Sequence, residues 1–192
     1  MDKVVIIDYG SGNIRSVYNA ISSAISLKTK CKKVVVSYKS KEINNCSHII
    51  LPGVGSFKGC LSGFYKKKGL YETLVDNVLV KNKPFLGICV GMQMLAEDSY
   101  EGGQNKGFGW VEGKVELLDS KNKTLKIPHI GFNNLKKESS HSFIDFMMRN
   151  KNIFSKREIN AYFVHSYCFK VKNKSERLIT TSYGDKITAM IG

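Results

Sequence analysis

Apolar residues in the first half of the chain come in short unbroken runs, separated by stretches in which they recur every three or four positions. Val4-Val5-Ile6-Ile7, closed by Asp8, is the kind of run that fills a central parallel strand buried on both faces. Ile14, Val17, Tyr18 and Ile21 share one face of a helix, which the pattern carries from the turn Tyr9-Gly10-Ser11-Gly12-Asn13 to about Ala24. Lys33-Val34-Val35-Val36-Ser37 predicts a second strand and His48-Ile49-Ile50-Leu51 a third. Leu70, Leu74, Val78 and Leu79 mark a helix from Leu70 to about Val80. From Pro84 to Leu95 a buried strand ends at Cys89 and turns at once, through glycine, into a helix. This alternation predicts an α/β fold, an open and mostly parallel sheet flanked by helices, doubly wound, with function at the strand C-terminal ends. Asp8, Pro52 and Cys89 then lie on one rim.

After Leu95 the period changes. Glu97 to Gly103 reads as a loop. Short strands follow over 109–118, 126–133, 161–167, 178–183 and 186–190, which predicts antiparallel strands in the second half. The segment from Lys136 to Glu158 is polar and mixed, with a helix around Phe143 to Met148. The sequence contains no internal repeat, linker or low-complexity stretch, so residues 1–192 are expected to form a single domain.

Cys89 is the candidate nucleophile. A cysteine at a sharp strand-to-helix junction has its sulfur lifted clear of the sheet and close to the positive end of the helix, which favours thiolate. Gly87 and Gly91 flank it where a side chain would crowd the turn. Pro52-Gly53-Val54-Gly55-Ser56-Phe57, after the third strand, can present backbone N–H groups to a developing oxyanion. Gly10 and Gly12 superficially resemble a dinucleotide-binding loop, but the third glycine position of that fingerprint holds Arg15 and no acidic residue ends the second strand. No cofactor is expected.

Composition narrows the partners. The formal net charge is +14, yet the basic residues are mostly lysines spread along the chain, the longest run being Lys66-Lys67-Lys68, with no nucleic-acid-binding motif beside them. The expectation is a solvated basic surface that binds no nucleic acid. No apolar run reaches membrane-spanning length and the start lacks a signal-peptide pattern, so a cytoplasmic protein that meets no membrane is expected. The five cysteines, Cys31, Cys46, Cys60, Cys89 and Cys168, are widely spread with no Cys-x-x-Cys pair, which suggests neither a metal site nor a disulfide framework.

Gly87-Ile88-Cys89-Val90-Gly91-Met92-Gln93 resembles the nucleophile elbow of the class I (triad) glutamine amidotransferases. The accompanying stretches resemble, within them, the glutaminase subunits of imidazole glycerol phosphate synthase: Asp8 to Asn13, Pro52 to Phe57, Gly107 to Trp110, Pro128 to Asn133 and Tyr162 to Tyr167. Met92, where other class I members usually have His, points the same way. The resemblance implies a flavodoxin- or Rossmann-like sheet and hydrolysis of glutamine to glutamate and ammonia. Cys89 would attack the side-chain amide and form a glutamyl thioester. Backbone at Gly53, Val54 and Val90 would hold the oxyanion. Gln93 and Glu101 would hold the substrate, with Ser166 and Tyr167 helping through their backbone. Ammonia would pass to a barrel-shaped cyclase (HisF-like) subunit, the partner in a heterodimer of histidine biosynthesis. Asn13, Phe132 and His165 lie in motifs that face that partner or line the site. Phe132 departs from the usual Trp. His129 and His165, each in a strand, read as hydrogen-bonded structural groups rather than as the catalytic base.

The family takes its general base and orienting carboxylate from a late His-x-Glu stretch, and no histidine follows His165 in these residues. The resemblance therefore implies a chain truncated at its C-terminus that hydrolyses glutamine poorly or not at all as given. Two other readings stay open: a paralogous subunit supplying ammonia for amidation in surface polysaccharide biosynthesis, and a non-catalytic partner-binding protein.

Overall fold

The computed structural model describes residues 3–28, 33–119, 125–149 and 159–192; Cys31 and residues 150–158 of the polar segment lie outside them. The chain divides into two compact units, Met1–Leu95 and Ala96–Gly192.

The first unit is the parallel sheet that the apolar runs predict. Strands β1 (Lys3–Ile6), β2 (Lys33–Val36), β3 (His48–Gly53) and β4 (Phe85–Cys89) stand in the order β2-β1-β3-β4, all parallel. Helix α1 (Ile14–Lys28) connects β1 to β2. Helices α2 (Ser40–Asn44), α3 (Phe57–Tyr65) and α4 (Leu70–Val75), with a π turn at Asp76–Val80, fill the later crossovers, and α5 (Val90–Gln93) follows β4 directly. Strand alternation puts Val4, Ile6 and Ile50 on one face, where Ile14, Val17, Ile21 and Ile25 of α1 pack against them. Tyr18, placed on the same stripe by the sequence pattern, lies at its edge and is exposed instead. The opposite face carries Val5, Ile7, Ile49 and Leu51, all buried.

Helices α2 and α3 are additions to the elements that the sequence pattern predicts. Ser56 caps α3, its hydroxyl oxygen accepting the Gly59 N–H at 3.1 Å, and Phe57, Cys60, Leu61 and Phe64 are its buried side. The helix expected from Leu70 to Val80 is α-helical only to Val75 before it widens into the π turn.

The second unit is built of short strands. β5 (Asp98–Ser99) and β6 (Asn105–Lys106) form a hairpin that β7 (Gly113–Leu117) and β11 (Tyr167–Val171) extend in the order β11-β7-β5-β6. β8 (His129–Asn134) and β10 (Asn160–His165) pair antiparallel as a ribbon. β9 (Lys136–Lys137), β12 (Arg177–Tyr183) and β13 (Asp185–Ile191) form a third, antiparallel sheet. Helix α6 (Ser142–Arg149) contributes Ile144 to a core with Leu178 and Ile179, and Leu118, Cys168 and Ile187 make a second. Glu138 ties the third sheet together: its carboxylate accepts from Arg177 at 3.1 Å and from Lys186 at 2.8 Å. Among the described residues no helix is long and apolar enough to cross a membrane.

Candidate active site

Parallel register sets the first unit's site. Gly53, the last residue of β3, is the partner of Cys89, the last residue of β4, so the glycine loop and the thiol leave neighbouring strands at the same level. Cys89 has φ +54 and ψ −116 and is exposed. For a residue with a β-carbon that backbone costs on the order of 1–3 kcal/mol and persists only where the surroundings enforce it. The enforcement is steric. A β-carbon on Gly53 would stand 2.5 Å from the Gly91 nitrogen, one on Gly87 2.7 Å from the Gly91 oxygen, and one on Gly91 would collide with the Leu51 carbonyl. Strand β3, strand β4 and the first turn after the cysteine are thus in backbone contact, and the chain can leave β4 only through the strained residue. Helix α5 is a single turn, so backbone strain and exposure rather than a long helix dipole present the sulfur.

The Gly53-Val54-Gly55 loop is braced from the β1 side. The Ser11 hydroxyl donates to the Val54 carbonyl at 2.7 Å, while its oxygen lies 3.4 Å from the Val54 N–H and 3.1 Å from Cys60 Sγ. Tyr9, fully buried, donates its phenol proton to the Pro52 carbonyl at 2.8 Å. Burial above all, with Cys60 next to it, pushes the Tyr9 pKa far up, so it remains a donor. Gln93 is buried within α5. Asn13 caps α1: its side-chain oxygen accepts the Ser16 N–H at 3.3 Å.

In the second unit Glu101 lies in the turn between β5 and β6. Asp98, held by Lys106 at 3.0 Å and by Gln104 at 3.1 Å, closes the hairpin, and these donors lower its pKa. Asn105 donates to the carbonyls of Glu101 at 3.1 Å and Gly103 at 2.8 Å, which fixes the turn's backbone.

Ser166 is the bend between β10 and β11. Leu118 N–H donates to its carbonyl at 2.8 Å, and Tyr167 stands opposite Leu117. That makes Tyr167 a non-hydrogen-bonded pair member, whose own N–H and C=O point to the outer side of β11. The outward Tyr167 carbonyl is 3.0 Å from His165 Nδ1. His165 and His129 are opposite each other in the β8–β10 ribbon with Nε2 and Nδ1 at 3.0 Å, so both are hydrogen-bonded strand residues, as expected. Burial lowers the pKa of each; the other histidine adds to this for His129, and the Tyr167 carbonyl opposes it for His165. The other face of the ribbon presents Ile130, Phe132, Tyr162 and Val164, all exposed, with Phe132 at 75%.

The sequence pattern marks every one of these stretches but assigns no role to Ser11, Cys60, Asn105 or Asn133. Ser11 and Asn133 lie inside motifs already singled out; Cys60 carries no local signal because its contact with Ser11 is set by tertiary structure, and Asn105, whose partners Glu101 and Gly103 are local, lies between the singled-out stretches.

Comparison with known proteins identifies the family. Residues 5–192 match the family model for the class-I glutamine amidotransferases. The chain is 38% identical over 192 residues to the imidazole glycerol phosphate synthase subunit HisH of Rhodospirillum rubrum, covering 99% of this chain and 86% of that protein. It is 38% identical to the HisH subunit of Ruegeria pomeroyi, covering 97% and 84%, and 37% identical to that of Pelagibacter ubique, covering 98% and 85%. A crystal structure of a glutamine amidotransferase superposes with a TM-score of 0.59 at 16% identity, covering 95% of this chain and 82% of that one, which supports the fold. With a strained, exposed cysteine between glycines that packing requires, and a match along nearly its whole length, the chain belongs to the class-I glutamine amidotransferase family.

Proposed function

We propose that the chain is the glutaminase subunit of an imidazole glycerol phosphate synthase, delivering ammonia from glutamine for histidine biosynthesis. The observation that carries the reading is the backbone of Cys89, a non-glycine residue at φ +54 at the end of β4. Strain of this kind collects at functional sites.

Cys89 Sγ, as thiolate, attacks the carboxamide carbon of glutamine. Water protonates the nitrogen of the tetrahedral intermediate, which then expels ammonia and collapses to a glutamyl thioester; the hydroxide so formed cleaves the thioester to glutamate and the thiol. Backbone N–H groups of Gly53, Val54 and Val90 are assigned to the oxyanion. In the structure the Val54 N–H is directed to Ser11 at 3.4 Å, so its use in the oxyanion hole requires that peptide to turn. Gln93, the Glu101 carboxylate and the Ser166–Tyr167 backbone are assigned to substrate, the carboxylate suiting an α-ammonium group. A cyclase subunit is assigned as the ammonia acceptor. The exposed apolar stripe of Ile130, Phe132, Tyr162 and Val164 supports a partner surface, since side chains of this size are costly to leave in water unless something covers them. The names of the relatives favour this synthase over a paralogous amidating system.

The test is glutamate release from glutamine by the natural gene product, with and without a cyclase subunit. Cys89→Ala is expected to lower turnover by about a thousandfold or more, the usual cost of losing a nucleophile. Glutamine hydrolysis that survives this substitution would overturn the assignment.

A further inference from the structure

His129 and His165 are used by none of the steps above, yet they form a continuous polar chain in the second unit. A carbonyl oxygen can only accept, so the 3.0 Å contact to the Tyr167 carbonyl places the proton of His165 on Nδ1. A neutral His165 then has a bare Nε2, which accepts from His129 Nδ1–H at 3.0 Å. His129 in turn has a bare Nε2, which faces the Asn133 amide nitrogen at 3.5 Å. That amide cannot be reversed at no cost: its other proton goes to the Ser182 carbonyl at 2.7 Å and its oxygen accepts the Asn134 N–H at 2.9 Å. All the bonds therefore run one way, from Asn133 through both rings to Tyr167.

The rings are also fixed in the plane. His129, 2% exposed, stacks on Tyr183 of β12 with centroids 4.0 Å apart and on Phe163 of β10 at 4.9 Å. Tyr183 is itself anchored by its phenol proton on the Lys126 carbonyl at 2.6 Å.

We propose that His129 and His165 are positioning residues: a one-way chain of two neutral imidazoles that fixes the outward Tyr167 carbonyl and, with it, the Ser166–Tyr167 backbone in the form that binds substrate. The inference rests on the reading of Ser166 and Tyr167 as substrate contacts. His165 acts on the peptide next to the substrate, and His129 acts through His165.

The chain tolerates no extra proton. A proton on His165 would face the Nδ1–H of His129, and a proton on His129 would face the Asn133 N–H, so either charge sets two donors against each other. The groups facing the rings are Asn133 of β8, Phe163 of β10, Tyr183 of β12 and the Tyr167 carbonyl of β11; among the described residues no salt bridge to either ring compensates a charge. Both pKa values lie below the ordinary 6.5. The neutral form is thus favoured by folding, the chain is intact above pH 6.5, and it is lost as pH falls through the lowered values.

The experiment has two readouts on the natural gene product. The first is the ¹⁵N tautomer signature of the two imidazoles by NMR near neutral pH, where both are expected to carry the proton on Nδ1. The second is steady-state glutamine hydrolysis by wild type, His129→Phe, which keeps the aromatic stack but donates nothing, and His129→Asn, whose amide stands near the Nδ1 position. His129→Phe is expected to raise KM for glutamine about fivefold, the scale of one hydrogen bond, with kcat changed less than about twofold. His129→Asn is expected to recover most of the loss. Wild-type KM is expected to be flat above pH 6.5 and to rise below it, with the rise starting at higher pH in His129→Phe. An Nε2–H tautomer on either ring, or an unchanged KM in folded His129→Phe, overturns the proposal. Wild type that neither hydrolyses nor binds glutamine overturns the functional reading and the substrate part of this one, while the tautomer signature still decides whether the chain exists.

Discussion

Cys89 joins two demands that oppose each other, a β-carbon for the nucleophile and a backbone that a β-carbon makes costly. Removing the β-carbon should release the strain. Cys89→Gly is therefore expected to be more stable than Cys89→Ala by about 1–2 kcal/mol, against the ordinary order in which Gly is the worse residue, because only the alanine still carries the strain. Urea denaturation of the two inactive variants measures this directly, and a less stable Cys89→Gly would show that φ +54 is not strained here. The glycine pattern around the cysteine made the elbow legible in the sequence, since an apolar run that changes period between two glycines marks a sharp strand-to-helix junction. What the sequence hid was the reason for the glycines. Gly53 is required by the backbone of Gly91, and Gly91 by the Leu51 carbonyl, contacts between β3 and the turn after β4 that have no local signature.

Elements were legible where their side chains kept one period long enough. α1 and the four parallel strands did so; α3 keeps the stripe Phe57, Cys60, Leu61 and Phe64, but Gly59 and Gly63 lower its helix propensity and hide it, and the two-residue strands β5 and β6 are too short to have a period. In the second unit the elements are held by polar bridges as much as by pattern. Glu138, just after β9, joins Arg177 of β12 and Lys186 of β13, and these partners, Lys186 first, lower its pKa below the ordinary 4.5. A depressed carboxyl pKa means the folded state binds fewer protons than the unfolded one, so its stabilisation is complete above pH 4.5 and disappears as pH falls through the lowered value. Wild type should accordingly melt higher than Glu138→Gln at neutral pH, and the gap should close on titration below pH 4.5. A gap independent of pH would assign the bridge to shape rather than charge.

The chain carries a formal net charge of +14, with lysines spread through the sequence, yet one exposed apolar display holds no charged residue: Ile130, Phe132, Tyr162 and Val164 line one face of the β8–β10 ribbon. These two features act on different steps of association. Long-range charge steers encounter and is screened by salt, whereas a desolvated aromatic anchor governs how long the complex lasts. Phe132 is 75% exposed and opposite Tyr162 at 5.2 Å, so replacing it leaves the fold's own packing nearly intact. Phe132→Asp is expected to weaken binding to a cyclase subunit about thirtyfold, roughly 2 kcal/mol, because the carboxylate would be stripped of water against an apolar surface. The loss should fall mainly on the dissociation rate, as interface substitutions usually do. Raising ionic strength with the wild type should instead change the association rate. Surface plasmon resonance at two salt concentrations separates the effects. Unchanged dissociation of Phe132→Asp, with an unaltered melting temperature, would remove this face from the interface and leave the apolar stripe without a partner.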